Sequence, residues 1–365
     1  MSINTSKSKV IIAALDWGLG HASRMVPLIE YFLSNEYQIA IASSGSALKL
    51  LQYRFPDLPS YELPSYNIVY NHNSMSLSML GQIPKIFKAR RKENSALENI
   101  LQEFNAELIV SDNRYGFYNR SVPSVFVTHQ LQILSPKGLG IMNPILKKLH
   151  FSLLSNFQQI WVPDFVGDNS LAGQLSNIKN ADSKIKYIGP LSRFKSEMSV
   201  HSSDNDINNI LVILSGPEPA RTNFESKLIA QLENIDGNVV LLRGLPNNEK
   251  TLKNDRIKVY NHLEDEKLLP IMKQADIVIS RSGYSTIMDL YFLGKKAIFI
   301  PTKGQTEQEY LANRFMNKAM FYSQSEDNLD LKLAFSEVNK YKGFNETHSS
   351  NFDNLEKALL ELGLN

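Results

Sequence analysis

The chain contains no cysteine. That excludes disulfides, thiolate zinc sites and cysteine nucleophiles together. Charge of one sign is also scarce: 39 Lys and Arg stand against 37 Asp and Glu, a formal net charge of +2. Without a strong positive field, nucleic acid is not expected as a main partner. Long apolar runs are missing too. After the polar segment Met1 to Lys9, the first apolar run reaches only about six residues before Asp16, too short for a signal peptide or a spanning helix. A cytoplasmic protein is the expectation. What is present is an ordinary globular composition over 365 residues, 43% hydrophobic and 21% charged, enough for two domains with a core each.

Strand-like runs recur with helical patterns between them. The first half offers Val10–Leu15, Gln38–Ser43, Glu107–Ser111, Ser124–Thr128, Gln159–Val162 and Lys184–Ile188. The second offers Asn209–Leu214, Val239–Arg243, Ile257–Tyr260, Ile277–Ser280, Ala297–Ile300 and a weaker Met320–Tyr322. Such alternation predicts an α/β chain of two Rossmann-like, doubly wound parallel sheets. The first domain is expected over 1–191, a polar linker over 192–208 and the second domain over 209–348. Asp204 and Asp206 in that linker read as solvated residues, although Asp-x-Asp elsewhere can hold a divalent metal. An amphipathic helix closes the chain within 349–365.

The most informative stretch runs from Ala275 to Asn313. A buried strand, Ile277 to Ile279, turns through Arg281, Ser282 and Gly283 into a helix of about Ser285 to Phe292, which Gly294 ends. This loop delivers a cation, a glycine and hydroxyls, with Thr286 beside Ser285, to a helix N-terminus, a place attractive to phosphate. Asp289, one turn further on the same face, suits a ribose hydroxyl, and Gln308-Glu309 offers acceptors for sugar hydroxyls. In that order the groups read as a nucleotide-sugar pocket. Turn geometry alone also accounts for Ser-Gly in a βα loop.

Another glycine loop follows the first strand, Gly18-x-Gly20-His21-x-x-Arg24, and leads into an apolar-periodic helix read as Met25 to Leu33. It approaches the dinucleotide fingerprint, but Ser23 replaces the third glycine and the second strand ends in Ser43-Ser44-Gly45 without an acidic residue for a ribose. NAD is therefore not expected. His21 stands at the carboxyl edge of the sheet, where open α/β sheets bind ligands, and imidazole suits proton abstraction from a hydroxyl. Two further stretches, Met79 to Lys92 and Leu139 to Leu154, set cations beside apolar helical faces and suit an anionic membrane surface. An ordinary solvated helix is the alternative for both.

The segment Arg281-Ser282-Gly283, with Thr286, Asp289, Gln308, Glu309 and Tyr310, resembles the donor-binding region of MurG-type GT-B glycosyltransferases, of the family 28 C-terminal type. That family has Glu at the Asp289 position and Gln at the Glu309 position. The resemblance implies a GT-B fold, two Rossmann-like domains facing a cleft with the C-terminal helix crossing back to the first domain. Further matches extend it. Gly216 opens a family glycine loop in which Pro217 replaces a phosphate-approaching Ser, and a proline cannot donate an N–H. Leu263, in His262-Leu263, stands where the family reads uracil through the backbone. Arg193 resembles a hinge arginine that helps bind nucleotide, and His129-Gln130 resembles an acceptor-side His-Glu.

The resemblance implies an inverting transferase, without metal or other cofactor, that moves a sugar such as N-acetylglucosamine or another hexose from a UDP-sugar to a lipid-linked or glycan acceptor. The two basic stretches, Met79 to Lys92 and Leu139 to Leu154, make peripheral placement on the inner face of the cell membrane the accompanying expectation. In plant-type UDP-sugar transferases a loop histidine is the general base and an aspartate orients it. His21 and Asp112 are the candidates, Asp112 having a turn or cap role as its alternative. His129 is the rival base, and phosphate binding the rival role for His21. Arg281 and Arg193 are expected to stabilise the departing diphosphate. A UDP-sugar hydrolase of the same fold and a non-catalytic nucleotide-sugar-binding protein remain as alternatives.

Overall fold

The computed structural model describes residues 7–66, 83–135, 143–178, 182–194, 208–216, 218–246, 248, 252–348 and 351–364, with side chains from 88 onward in the second of these stretches. The expected Asp204, Asp206 and Pro217, most of the linker and the apolar ends 79–82 and 139–142 of the two basic stretches lie outside the described residues. The chain forms two compact units. One holds the described residues up to Arg193 together with 351–364, and the other holds those from Phe194 to His348.

The first unit is built on a parallel sheet of β1 (Lys9–Ala14), β2 (Gln38–Ser43), β3 (Ser60–Glu62), β4 (Leu108–Asp112), β5 (Ser124–Val127), β6 (Gln159–Val162) and β7 (Ile185–Tyr187). Its order is β3-β2-β1-β4-β5-β6-β7. Helices α1 (Leu19–Ser34), α2 (Gly45–Arg54), α3 (Ile83–Phe104) and α4 (Asn143–Leu154) connect these strands. Successive side chains on a strand point to opposite faces. Ile11 and Ala13 of β1 pack with Ala40, Ala42 and Ile109 against Leu97 and Ile100 of α3. Val10, Ile12 and Ala14, of opposite parity, are also fully buried. Burial on both faces is why these strands read as continuous apolar runs rather than as alternation.

The second unit repeats the plan with β8 (Asn209–Ile213), β9 (Asn238–Leu242), β10 (Ile257–Tyr260), β11 (Ile277–Ser280), β12 (Lys296–Phe299) and β13 (Tyr322–Ser323), in the order β10-β9-β8-β11-β12-β13. Its helices are α5 (Ala220–Leu232), α6 (Asp265–Gln274), α7 (Tyr284–Leu293), α8 (Thr306–Asn317) and α9 (Leu331–Val338). Ile210, Val212, Val239, Leu241, Ile277, Ile279 and Ile298 form the apolar face that α5 and α9 cover through Phe224, Leu228, Leu331 and Val338. Gly294 ends α7 in the left-handed region, φ 60°, and a Cβ there would meet the Glu346 carbonyl oxygen at 2.8 Å. Only glycine fits.

Helix α10 (Asp353–Glu361) packs on the first unit. Gln159 Nε2 donates to the Ala358 carbonyl at 3.0 Å, Lys186 pairs with Glu361 at 2.5 Å, and the rings of Tyr31 and Phe352 are 4.8 Å apart. Strand order reverses between β1 and β4 in one sheet and between β8 and β11 in the other. Ala14 is register partner to Asp112, and Ile213 to Ser280. These two switch points are where open α/β sheets bind ligands, and His21, Asp112, Gly216 and the segment Arg281 to Asp289 lie at or just past the carboxyl ends of these strands.

Candidate active site

In the first unit α1 begins at Leu19, not near Met25 as the apolar periodicity suggested, so Gly20 and His21 lie in its first turn. Gly18 makes the entry possible: it is the N-cap residue with φ 103°, a conformation side-chain-bearing residues rarely adopt. Residues three apart share a helix face, so His21 and Arg24 both project toward the end of β4. Asp112 is the last residue of that strand and fully buried. His21 Nδ1 lies 2.7 Å from Asp112 Oδ2. Arg24 Nε donates to Asp112 Oδ1 at 2.8 Å and its Nη2 donates to the same oxygen. Arg24 Nη1 lies 3.2 Å from His129 Nδ1. Four side chains from three elements thus meet at one switch point.

The charges decide the protonation pattern. Burial alone would raise the Asp112 carboxyl, but the Arg24 guanidinium and then His21 hold it below the ordinary carboxylate value. An ionised carboxylate only accepts, so the short contact to His21 requires a proton on Nδ1 and leaves the Nε2 lone pair open. Among the described residues His21 Nε2 has no protein partner, and the side chain keeps 20% of its surface exposed. Burial, and next the Arg24 cation, pull the His21 pKa below 6.5 against the opposing pull of Asp112. The ring is therefore neutral at pH 7, as a base must be. Arg24 Nη2 also lies 2.9 Å from His21 Nδ1, but the nearer partner of that nitrogen is Asp112 Oδ2 at 2.7 Å; at His129 Nδ1 the contact is with Arg24 Nη1, which can only donate, so this nitrogen accepts.

Arg24 is the residue that sequence reasoning missed in this cluster. Its signal was in plain view, the arginine of Gly-x-Gly-His-x-x-Arg. Ser23 receives Arg193 Nη1 at 3.5 Å, which brings the expected hinge arginine beside α1. Gln130 lies against α4: its carbonyl accepts from His150 Nε2 at 2.9 Å, and His150 Nδ1 accepts from the Tyr115 hydroxyl at 3.1 Å. Arg114, fully buried, pins the same sheet edge by donating to the Ala14 carbonyl, Ser44 Oγ and Glu93, each at 2.7 Å.

In the second unit the loop after β11 enters α7 through Gly283, which caps the helix without any side-chain hydrogen bond. Ser285 and Thr286 stand half-buried in the first turn, and Asp289 lies buried a turn further in. Gly216, with φ 113°, follows β8 across the switch point, and buried Leu263 follows β10 just ahead of α6. The dipole of α7 favours an anion at its start.

The side chains of Arg281, Ser282, Gln308 and Glu309 make contacts within the protein. The Arg281 guanidinium is buried, donating to Glu326 at 2.7 Å and to the Ile300 carbonyl at 2.9 Å, 3.7 Å over the Phe224 ring. The Ser282 hydroxyl donates to the Gln308 carbonyl at 2.7 Å, so its proton is engaged within the protein. Gln308 Oε1 accepts from Thr302 N and Glu309 Oε1 from Gly304 N, each at 2.8 Å, so one oxygen of each expected sugar acceptor holds the turn ahead of α8. Among the described residues no group of three or more His, Asp or Glu is placed to hold a metal ion. None of their helices is long and apolar enough to cross a membrane.

Paired parallel sheets of this kind define the GT-B class, and comparison with solved structures agrees. The glycosyltransferase of kitacinnamycin superposes over 98% of this chain and 100% of its own, with TM-score 0.65 and 14% identity. Residues 220–361 match the glycosyltransferase family 28 C-terminal domain, and the chain is a GT-B glycosyltransferase carrying that domain. It is 24% identical over 314 residues to an uncharacterized glycosyltransferase of Methanosarcina acetivorans, covering 82% of this chain and 81% of that protein. It is 29% identical over 175 residues to a UDP-N-acetylglucosamine–N-acetylmuramyl-(pentapeptide) pyrophosphoryl-undecaprenol N-acetylglucosamine transferase of Clostridium botulinum, over 43% of this chain and 47% of that one.

Proposed function

We propose that this glycosyltransferase is an inverting, metal-independent enzyme that uses a UDP-sugar donor and a lipid-linked or glycan acceptor. The observation that carries the reading is the His21–Asp112 pair, 2.7 Å apart at a switch point with Nε2 open. His21 Nε2 takes the proton from an acceptor hydroxyl as that oxygen bonds to the anomeric carbon. The bond from that carbon to the diphosphate oxygen breaks, and UDP leaves with the electron pair. Asp112 holds the ring in its Nδ1–H form and balances the imidazolium that results. The N-terminus of α7, with Ser285 and Thr286, stabilises the leaving diphosphate in place of a metal, and Arg193 and the Gly216 loop assist. Asp289 takes the ribose hydroxyls, Leu263 the base, and the Gln308 amide and Glu309 carboxylate the sugar hydroxyls. The similarity to a UDP-N-acetylglucosamine transferase supports UDP as the nucleotide and a hexosamine as the sugar.

The test is a panel of UDP-sugars in EDTA, scored by UDP release with and without a lipid extract. Extract-dependent release is the expected result; release at the same rate without extract would favour a hydrolase. His21→Ala should lower saturated turnover by about 10²–10⁴-fold while UDP binding, measured by calorimetry, is retained. A normal turnover in that variant beside an inactive His129→Ala enzyme would transfer the base to His129.

A further inference from the structure

We infer that Arg24 is a positioning residue that makes the two histidines of the first unit chemically unequal, by fixing Asp112 as the partner of His21 Nδ1 and occupying Nδ1 of His129. The inference deepens the proposed reaction and rests on His21 being its base. The observations are geometric. Arg24 is buried to 2% exposure and reaches three side chains on two other elements and its own helix: Asp112 at the end of β4, His129 after β5, and His21 one turn back on α1. A guanidinium has five donors in a fixed fork and no acceptor. Two of its nitrogens converge on Asp112 Oδ1, which leaves Oδ2 for His21. The third addresses His129 at 3.2 Å. The carboxylate is thereby held with Oδ1 on Arg24 and Oδ2 on His21, and against the opposing effect of burial the cation favours its ionised form.

The same contacts assign different tasks to the rings. His21 donates from Nδ1 and keeps Nε2 as the accepting atom. His129 Nδ1 accepts from Arg24 Nη1, whereas at His21 Nδ1 the Asp112 oxygen at 2.7 Å lies nearer than Arg24 Nη2 at 2.9 Å. The charged and titratable groups around His21 are Asp112 from β4, Arg24 from its own helix and His129 from the loop after β5. Of these, Arg24 and His129 oppose protonation of His21 and Asp112 favours it. Removing the guanidinium takes away a lowering influence and leaves Asp112 free to swing.

Two variants separate this role from plain scaffolding. Arg24→Lys keeps a charge but loses the fork; Arg24→Gln keeps some polar bonding but loses the charge. Nitrogen-detected NMR of the histidine rings in the full chain reads tautomer and titration directly, and pH–rate profiles read turnover. In Arg24→Gln the His21 titration and the acid limb of kcat should both move up by about one pH unit, with UDP affinity retained. In Arg24→Lys the acid limb should stay within a few tenths of a unit of wild type. Turnover should nonetheless fall by about tenfold or more as the ring loses its orientation, with mixed His21 tautomers in the spectrum. Lowered melting temperatures in both variants, with His21 tautomer and titration unchanged, would overturn the inference and leave Arg24 a structural ion-pair partner. A His21 titration that moves while the pH–rate profile stays fixed would support the positioning role and remove His21 as the base.

Discussion

The Ser282 hydroxyl donates to the backbone carbonyl of Gln308 at 2.7 Å, tying the loop after β11 to the first turn of α8. Both segments are assigned to the donor, so one hydrogen bond sets their spacing. A bond of this kind contributes about 1 kcal/mol net. Ser282→Ala should therefore lower the melting temperature slightly and weaken UDP binding by about fivefold, both measurable on one preparation by scanning and titration calorimetry. An unchanged melt and an unchanged affinity together would show that the tie contributes nothing.

Arg281 leads to the opposite expectation from the one its sequence neighbourhood suggested. Its guanidinium and the Glu326 carboxylate are 2% and 14% exposed. Breaking one partner of a buried pair typically costs about 3–5 kcal/mol. Arg281→Met should thus destabilise the second unit strongly in denaturant melts, while the fraction that remains folded binds UDP within about threefold of wild type. A large affinity loss at intact stability would return Arg281 to the diphosphate.

His150 supplies a pH dependence. Burial pushes its pKa down to about 4, against the Gln130 carbonyl that raises it, while an exposed histidine titrates near ~6.5. As pH falls the unfolded chain takes up the proton first. The stability this residue holds above pH ~6.5 is lost between there and pH ~4, and the loss levels off below. His21 is shifted in the same direction, so wild type alone does not isolate the effect. Melting curves of wild type and His150→Gln from pH 7 to 4 should converge toward the acid end. Parallel curves would count against it.

The membrane reading can be checked apart from catalysis. Lys88, Arg91 and Lys92 are exposed on α3, and on α4 Ile145 stands 67% exposed beside exposed Lys147 and Lys148. Near an anionic surface each such cation contributes about 1 kcal/mol. Sedimentation with anionic vesicles should therefore exceed that with neutral vesicles and fall with salt. Equal, negligible binding to both would weigh against a lipid-linked acceptor.

Much of this was legible in the sequence because parallel strands advertise themselves. Gln38–Ser43, Gln159–Val162, Ile257–Tyr260 and Ile277–Ser280 were bounded to the residue by apolar runs between polar ends. Ser60–Glu62 was not seen, being three residues at a sheet edge with no apolar core of its own. His21 and Asp112 could each be assigned to a strand end from pattern alone. Their contact could not, since it depends on α1 starting six residues earlier than its apolar periodicity implied. The contacts of Arg281 were not legible for a related reason. A motif fixes where the backbone turns, but the Phe224 ring and the Glu326 carboxylate decide where this long side chain goes.

The path of the chain has a consequence for how the protein is made. Residues 351–364 belong to the first unit although some 155 residues of the second unit precede them in the chain. The Gln159 amide, Lys186 and the Tyr31 ring meet their partners Ala358, Glu361 and Phe352 only after that whole insertion has been synthesised. On the ribosome the second unit can therefore close on itself first, while the first waits with an uncovered strip along β6 and β7. A nascent chain paused in that interval is the form on which chaperones would act.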